Sequence, residues 1–221
     1  MSQADPGFMP SSTRDVFQTL STQKFMLPYT LVGGTALAIQ IKHRFSEDLD
    51  FITDTETINT LLLKRNIARI FPAYRIIRDD PKWQMDILIN NTKIIWFSSG
   101  AVAAGFKTRD YAFRYRNLWI ARPEIIAVHK LSAISQRNTL RDYYDLYFLA
   151  KYHIPLEKMI ELTRKLQPSL SPVTYSETLI YIDDLPEENM SSHLKPTENI
   201  SKQQIAEFFI SELKKIKSKL I

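Results

Sequence analysis

Residues 29–53 read YTLVGGTALAIQIKHRFSEDLDFIT, and their pattern decides the fold. Residues 29–32 are a short apolar run ending in Gly33-Gly34, which predicts a strand entering a tight turn. Residues 35–42 (TALAIQIK) predict a short helix leaving that turn. Residues 48–53 (DLDFIT) alternate polar and apolar, the mark of a strand with two distinct faces. On such a strand residues i and i+2 point to one side, so Asp48 and Asp50 set two carboxylates side by side with Leu49 turned to the core.

On the N-terminal side, residues 1–12 carry Pro6, Gly7 and Pro10 and form a loose lead-in. Ser11-Ser12-Thr13 offers caps for a first helix running to about Met26, stopped before Pro28. On the C-terminal side, Ile58, Leu61, Leu62, Ile67 and Ile70 give residues 57–70 a helical spacing. Three strand-like runs follow at 74–78, 83–89 and 93–98, and Asn90-Asn91 suits a hairpin turn between the last two. From about Pro123 the pattern is helical to the end, with loops expected at 168–174 and 186–197. The fold class is therefore α+β: a mixed sheet with flanking helices over 1–120, then a helical domain over 121–221.

The composition supports an ordinary globular chain: 221 residues, 44% hydrophobic and 24% charged. A net charge of +5 and a pI near 9.3 suit a polyphosphate or nucleic-acid partner, and equally many proteins with neither. The absence of cysteine excludes disulfides, thiolate metal sites and cysteine nucleophiles. The start MSQADPGFMPSSTRD lacks the basic-then-apolar pattern of a signal peptide, and no run of 18 apolar residues occurs. A cytoplasmic protein with no membrane span is the expectation.

Two carboxylates as close as Asp48 and Asp50 repel each other, and a divalent cation removes that conflict; hard oxygen ligands suit magnesium. Asp86, in Trp-Gln-Met-Asp-Ile-Leu-Ile, is the natural third ligand, since a carboxylate in so apolar a run is costly unless something binds it. Three carboxylates on adjacent strands can hold two Mg2+ ions for in-line attack on a phosphate. Gly33 and Gly34 let backbone N–H groups approach phosphates, and the helix start behind them adds a favourable dipole. Each piece has a plainer reading: the Asp-x-Asp as a solvated face, the glycines as a turn, Asp86 as a buried, hydrogen-bonded aspartate. The combination in this order is what carries specificity.

In the helical half Lys130, Ala133 and Arg137 are spaced i, i+3, i+7 and would share a helix face, either as phosphate contacts or as a solvated basic stripe. Asp142 caps or orients that cluster or contacts the nucleotide, with an ion pair to Arg137 or Arg141 as the plainer role; Asp145 is read as structural. Tyr143, Tyr144, Tyr147 and Phe148 fit core packing better than a base-stacking platform. Arg44 is a candidate phosphate contact with Ser46 hydrogen-bonding beside it, and His43, His129 and His153 are given no role. Residues 107–122 (KTRDYAFRYRNLWIAR) interleave five basic residues with aromatics, suiting single-stranded nucleic acid or a linker docked on the body. The run from Lys214 to Lys219 is a solvated last helical turn.

The order of paired glycines, short helix, Asp-x-Asp strand and later strand aspartate resembles the nucleotidyltransferase superfamily. More narrowly, Gly33-Gly34-Thr35-Ala36-Leu37-Ala38 and His43-Arg44-Phe45-Ser46-Glu47-Asp48-Leu49-Asp50-Phe51 resemble the AbiEii/AbiGii toxin family. The likeness continues through Lys130-Leu-Ser-Ala133, Arg137 and Arg141-Asp142-Tyr-Tyr-Asp145-Leu, with a fainter echo at Asp183-Asp184. Gly34 departs from the serine of many superfamily relatives, and the surroundings of Asp86 are divergent.

The resemblance implies a nucleotidyltransferase-type sheet, with a helical domain that completes the nucleotide site. It implies transfer of NMP from an NTP with release of pyrophosphate. Asp48, Asp50, Asp86 and Lys130 would be catalytic, the three aspartates holding metal. Gly33, Gly34, Thr35, Arg44, Ser46, Lys130, Arg137 and Asp142 would bind nucleotide. The implied partners are an RNA acceptor, with the tRNA 3′ end as the specific expectation, and a cognate antitoxin in a bacterial toxin–antitoxin or phage-abortive system. Transfer to a small molecule, or a nucleotide-binding module without turnover, are the alternatives.

Overall fold

The computed structural model describes residues 4–102, 105–137, 139–181, 185 and 194–218. It divides into two compact units, Met1–Arg122 and Pro123–Ile221. The Asp183-Asp184 echo lies outside the described residues, as do Lys219 and most of the loop expected at 186–197.

The first unit is built on seven described strands: β1 (Tyr29–Val32), β2 (Leu49–Thr53), β3 (Arg75–Asp80), β4 (Gln84–Ile89), β5 (Thr92–Ser98), β6 (Ala112–Tyr115) and β7 (Leu118–Ala121). They lie in the order β3-β4-β5-β2-β1-β7-β6. β1 pairs antiparallel with β2 and parallel with β7, and β2 pairs parallel with β5, so the sheet is mixed. Its interior position explains why β1 is buried along its whole length and shows no alternation. β5 alternates buried and half-buried residues, because one face is sealed and the other partly open. Helix α1 (Ser11–Ser21) lies on the sealed face, where Thr13 and Thr92 hydroxyls meet at 3.2 Å. Phe51 and Trp96, in register on β2 and β5, stack there with centroids 5.8 Å apart.

Several boundaries differ from the sequence expectation. The first helix ends at Ser21 rather than near Met26, and Pro10, not a serine, stands at its N-cap. Thr19, Ser21 and Thr22 turn their hydroxyls onto nearby helix carbonyls, and the Thr22 N–H falls back to Thr19, which closes the helix early. Helix α2 (Gly33–Ile41) begins directly at the first glycine, so strand and helix meet without an intervening loop. In α3 (Thr60–Ile70) the buried stripe is Thr60, Leu63 and Ile67, while Leu61 and Leu62 face outward. The Asn59 side chain accepts from the Leu62 N–H and so fixes where that helix starts.

Within residues 107–122 a short helical turn, Thr108–Tyr111, leads into the β6–β7 hairpin, which widens the sheet beyond β1. Arg116, at φ 52°, makes the turn. Arg109 lies 4.7 Å from the Trp119 ring and Arg122 5.9 Å from Phe113, so these arginines cover aromatics of their own hairpin. The preceding residues are held by Asp54, whose carboxylate accepts from the N–H groups of Thr108 and Arg109 at 2.8 and 3.1 Å.

The second unit holds α4 (Pro123–Ile134), α5 (Leu140–Tyr152), α6 (Leu156–Leu166), α7 (Pro172–Ile180) and α8 (Lys202–Ser218). α4 is apolar nearly all round and packs against α5, α6 and α7, which makes it the central helix. Tyr143 and Tyr144 are fully buried in this core. The return segment before α8 is tied to α5 through Glu198, whose carboxylate accepts from Tyr147 (2.9 Å) and Lys151 (3.0 Å). Among the described residues no helix is long and apolar enough to cross a membrane.

Candidate active site

In the first unit the site begins at the turn between β1 and α2. Gly33 has φ +72°, a conformation that a side chain makes costly, and a Cβ there would collide with Asp50 Oδ2. The Asp50 carboxylate therefore lies directly against the start of α2. The N-cap of that helix, Val32, supplies no side-chain hydrogen bond to its first N–H groups. Asp48 sits one residue before β2 rather than within it, and its carbonyl accepts a hydrogen bond from Thr35. Thr35 also shares a 2.8 Å hydrogen bond with Ser46. Arg44 and Ser46 are buried against Gly34, and the Arg44 Nη1 donates to the Phe45 carbonyl at 2.9 Å. Gly33, Gly34, Thr35, Arg44, Ser46, Asp48 and Asp50 thus form one connected group.

Asp86 belongs to the same face of the sheet. Arg78, Asp86, Ile95, Asp50 and Val32 are successive partners across β3, β4, β5, β2 and β1, so their side chains project to one side. Asp86 and Asp50 are two strands apart, which separates their Cα atoms by about 10 Å. Asp86 is buried and answered locally: Gln84 Nε2 donates to it at 2.8 Å and Lys93 Nζ lies 3.5 Å away. Among the described residues no three His, Cys, Asp or Glu side chains gather closely enough to hold one ion. By their chemistry Asp48 and Asp50 are hard oxygen donors, and Asp86 is set across β5 from Asp50.

The second unit carries its own charged cluster. Lys130, on the buried surface of α4, has its ammonium 2.7 Å from Asp142 and 2.6 Å from Asp145. The remaining Asp142 oxygen accepts from Arg137 Nε (2.9 Å) and from Thr139 Oγ1 (2.7 Å). Burial of Asp142 opposes its charge, but Lys130, Arg137 and the two hydrogen bonds outweigh burial and hold its pKa at about 2. Arg137 does not share a face of α4 with Lys130: α4 stops at Ile134, and the Gln136 and Arg137 N–H groups both close onto the Ala133 carbonyl. Arg137 reaches the cluster from that turn, with its side chain 63% exposed. Sequence spacing missed Thr139; its place three residues before Asp142, at the start of α5, is the signal that would have found it. His129 is half-buried, and the loss of hydration at its ring lowers its pKa to about 4.

A glycine turn closing on a strand aspartate, in a mixed sheet followed by a helical unit, defines a nucleotidyltransferase-type α+β protein. The chain belongs to the family described as nucleotidyl transferase AbiEii toxin, Type IV TA system, which matches residues 14–195. It is 27% identical over 187 residues to an uncharacterized protein of Aquifex aeolicus, covering 81% of this chain and 87% of that one. Two solved structures share the fold. A candidate nucleotidyltransferase of H. pylori aligns with a TM-score of 0.54 at 21% identity, covering 96% of this chain and 97% of its own. MenT4, a nucleotidyltransferase toxin of Mycobacterium tuberculosis, aligns with a TM-score of 0.53 at 15% identity, covering 93% of this chain and 86% of its own.

Proposed function

We propose that this nucleotidyltransferase moves NMP from an NTP to RNA, with the tRNA 3′ end as acceptor, and that it is the toxin of a toxin–antitoxin or phage-abortive system. The observation that carries the transfer site is the contact of Gly33 with Asp50, which sets the start of α2 beside a carboxylate that has Asp48 two residues away. Exposed basic residues, Arg114 on the edge hairpin and Lys107 on the segment leading to it, support an RNA acceptor. The cytoplasmic location, the cognate antitoxin and the exclusion of membrane partners belong to the same proposal.

Asp48 and Asp50 would hold Mg2+, with Asp86 as the third carboxylate of a two-ion site. Bound magnesium would neutralise phosphate charge and favour departure of pyrophosphate. The start of α2, with Gly33, Gly34 and Thr35, receives the phosphates through backbone N–H groups and the helix dipole. Arg44 and Ser46 support that turn from behind. Within the helical unit Lys130, Arg137 and Asp142 are the residues assigned to nucleotide, and the Arg137 side chain is 63% exposed. The acceptor hydroxyl oxygen bonds to the α-phosphorus, the bond to the β-phosphate oxygen breaks, and Asp86 takes the hydroxyl proton. Catalysis of this kind is positioning and charge stabilisation.

The test is transfer of label from each of four α-labelled NTPs into total tRNA with magnesium, against the Asp48→Ala, Asp50→Ala double variant. Labelled tRNA from the native chain alone is the expected result. Label appearing in a small-molecule fraction would move the acceptor, and nucleotide binding without any transfer would leave a binding module.

A further inference from the structure

The adjacent glycines solve two different problems. Gly33 has a positive φ and abuts Asp50, whereas Gly34 has no unusual backbone angle. Inside a helix glycine costs about 1 kcal/mol relative to alanine, so Gly34 needs a reason in its surroundings. A Cβ at Gly34 would lie 2.5 Å from Arg44 Nη2, 3.4 Å from Arg44 Cζ and 3.1 Å from Ser46 Oγ. The hollow that a side chain would fill is occupied by a guanidinium. Arg44 is only 3% exposed, so it cannot yield that place without unpacking. Burying a guanidinium is costly unless the geometry around it is well satisfied, which marks the arrangement as one the fold maintains. Ser46 Oγ borders the same hollow, and the Arg44 Nη1 donates to the carbonyl of Phe45, the residue between them; from Ser46 the hydrogen bonds run to Thr35, and from Thr35 to the carbonyl of Asp48. The guanidinium is thus wedged between the turn and the segment that delivers both aspartates.

We propose that Arg44 is a positioning residue: seated in the hollow of Gly34, it sets the spacing between the Gly33–Gly34 turn and the Asp48–Asp50 pair, and position 34 is glycine to admit it. The functional consequence rests on the nucleotidyl-transfer reading; the seating itself does not.

The test is a four-cornered cycle of the native chain, Gly34→Ala, Arg44→Ala and the double variant, read both as kcat and KM for NTP and as thermal midpoint. Gly34→Ala alone should raise KM by about tenfold, and in the Arg44→Ala background it should change KM by less than about twofold. Arg44→Lys, whose slimmer ammonium can withdraw from the hollow, should likewise make Gly34→Ala tolerable. Equal losses from Gly34→Ala in both backgrounds would overturn the proposal. So would a lowered kcat with KM unchanged, the result of merely losing folded protein. If no variant and no native chain transfers nucleotide, it is the transfer reading that fails. The thermal midpoints then still decide the seating, since additive shifts refute it and non-additive shifts uphold it.

Discussion

The most constrained single groups are charges held away from water. Lys130 is paired with two carboxylates that are themselves 3% and 0% exposed, so removing the ammonium takes a shared positive partner from two buried negative charges. Lys130→Met should destabilise the second unit by about 3–5 kcal/mol in urea unfolding, more than Arg137→Met, whose side chain is mostly in solvent. Comparable losses from the two variants would show that Lys130 is not held as described. Within the second unit the Lys130 ammonium is bound by Asp142 and Asp145. The sequence reading of Asp142 as orienting the basic cluster, with an ion pair to Arg137, matches the contacts it makes. The particular pairing of Asp145 with Lys130 was not legible, because spacing along α4 says nothing about a residue on α5.

At the scale of elements, local chemistry was legible wherever a short-range rule governs. Asn90 and Asn91 adopt φ of 49° and 63°, the paired left-handed residues of a tight hairpin, as their composition suggested. Asn90→Val should therefore lower stability by about 1–2 kcal/mol, while Asn91→Gly should be neutral or stabilising; urea midpoints decide, and a tolerated valine would contradict the turn assignment. The strand run 29–32 and the switch to helices near Pro123 were equally readable. The β6–β7 hairpin was not. In residues 113–116 the alternation of Phe113, Arg114, Tyr115 and Arg116 is that of a strand with aromatics on one side, yet the same letters match a nucleic-acid-binding pattern. Arg122 covers Phe113, Arg116 covers Tyr115, and Arg109 covers Trp119 on the neighbouring strand. Of the candidate site, the segment from Gly33 to Asp50 was visible because its parts are close in sequence. The role of Gly34 was hidden, since it depends on where a side chain ten residues later comes to rest.

For the whole molecule, pH separates two kinds of titratable group. His129 is kept neutral by burial, with its pKa lowered from 6.5 to about 4, so the unfolded chain binds its proton first. Its contribution is complete above pH 6.5 and is lost as pH falls toward 4, an effect of about 3 kcal/mol. Asp142, lowered from 3.8 to about 2, contributes above pH 3.8 and loses that contribution only as pH falls toward 2. His129→Gln should flatten the loss of stability between pH 6.5 and 4, measured by urea unfolding across that range; an unchanged slope would assign it elsewhere. The central claim concerns the first unit, where a glycine turn presents phosphates to the Asp48–Asp50 pair. Its most direct measurement is pyrophosphate release from NTPs with total tRNA and magnesium, comparing the native chain with Asp50→Asn, each verified as folded by thermal melting. Release by the native chain, cut about a thousandfold in a folded Asp50→Asn, is the predicted result. Equal release from both would contradict the account.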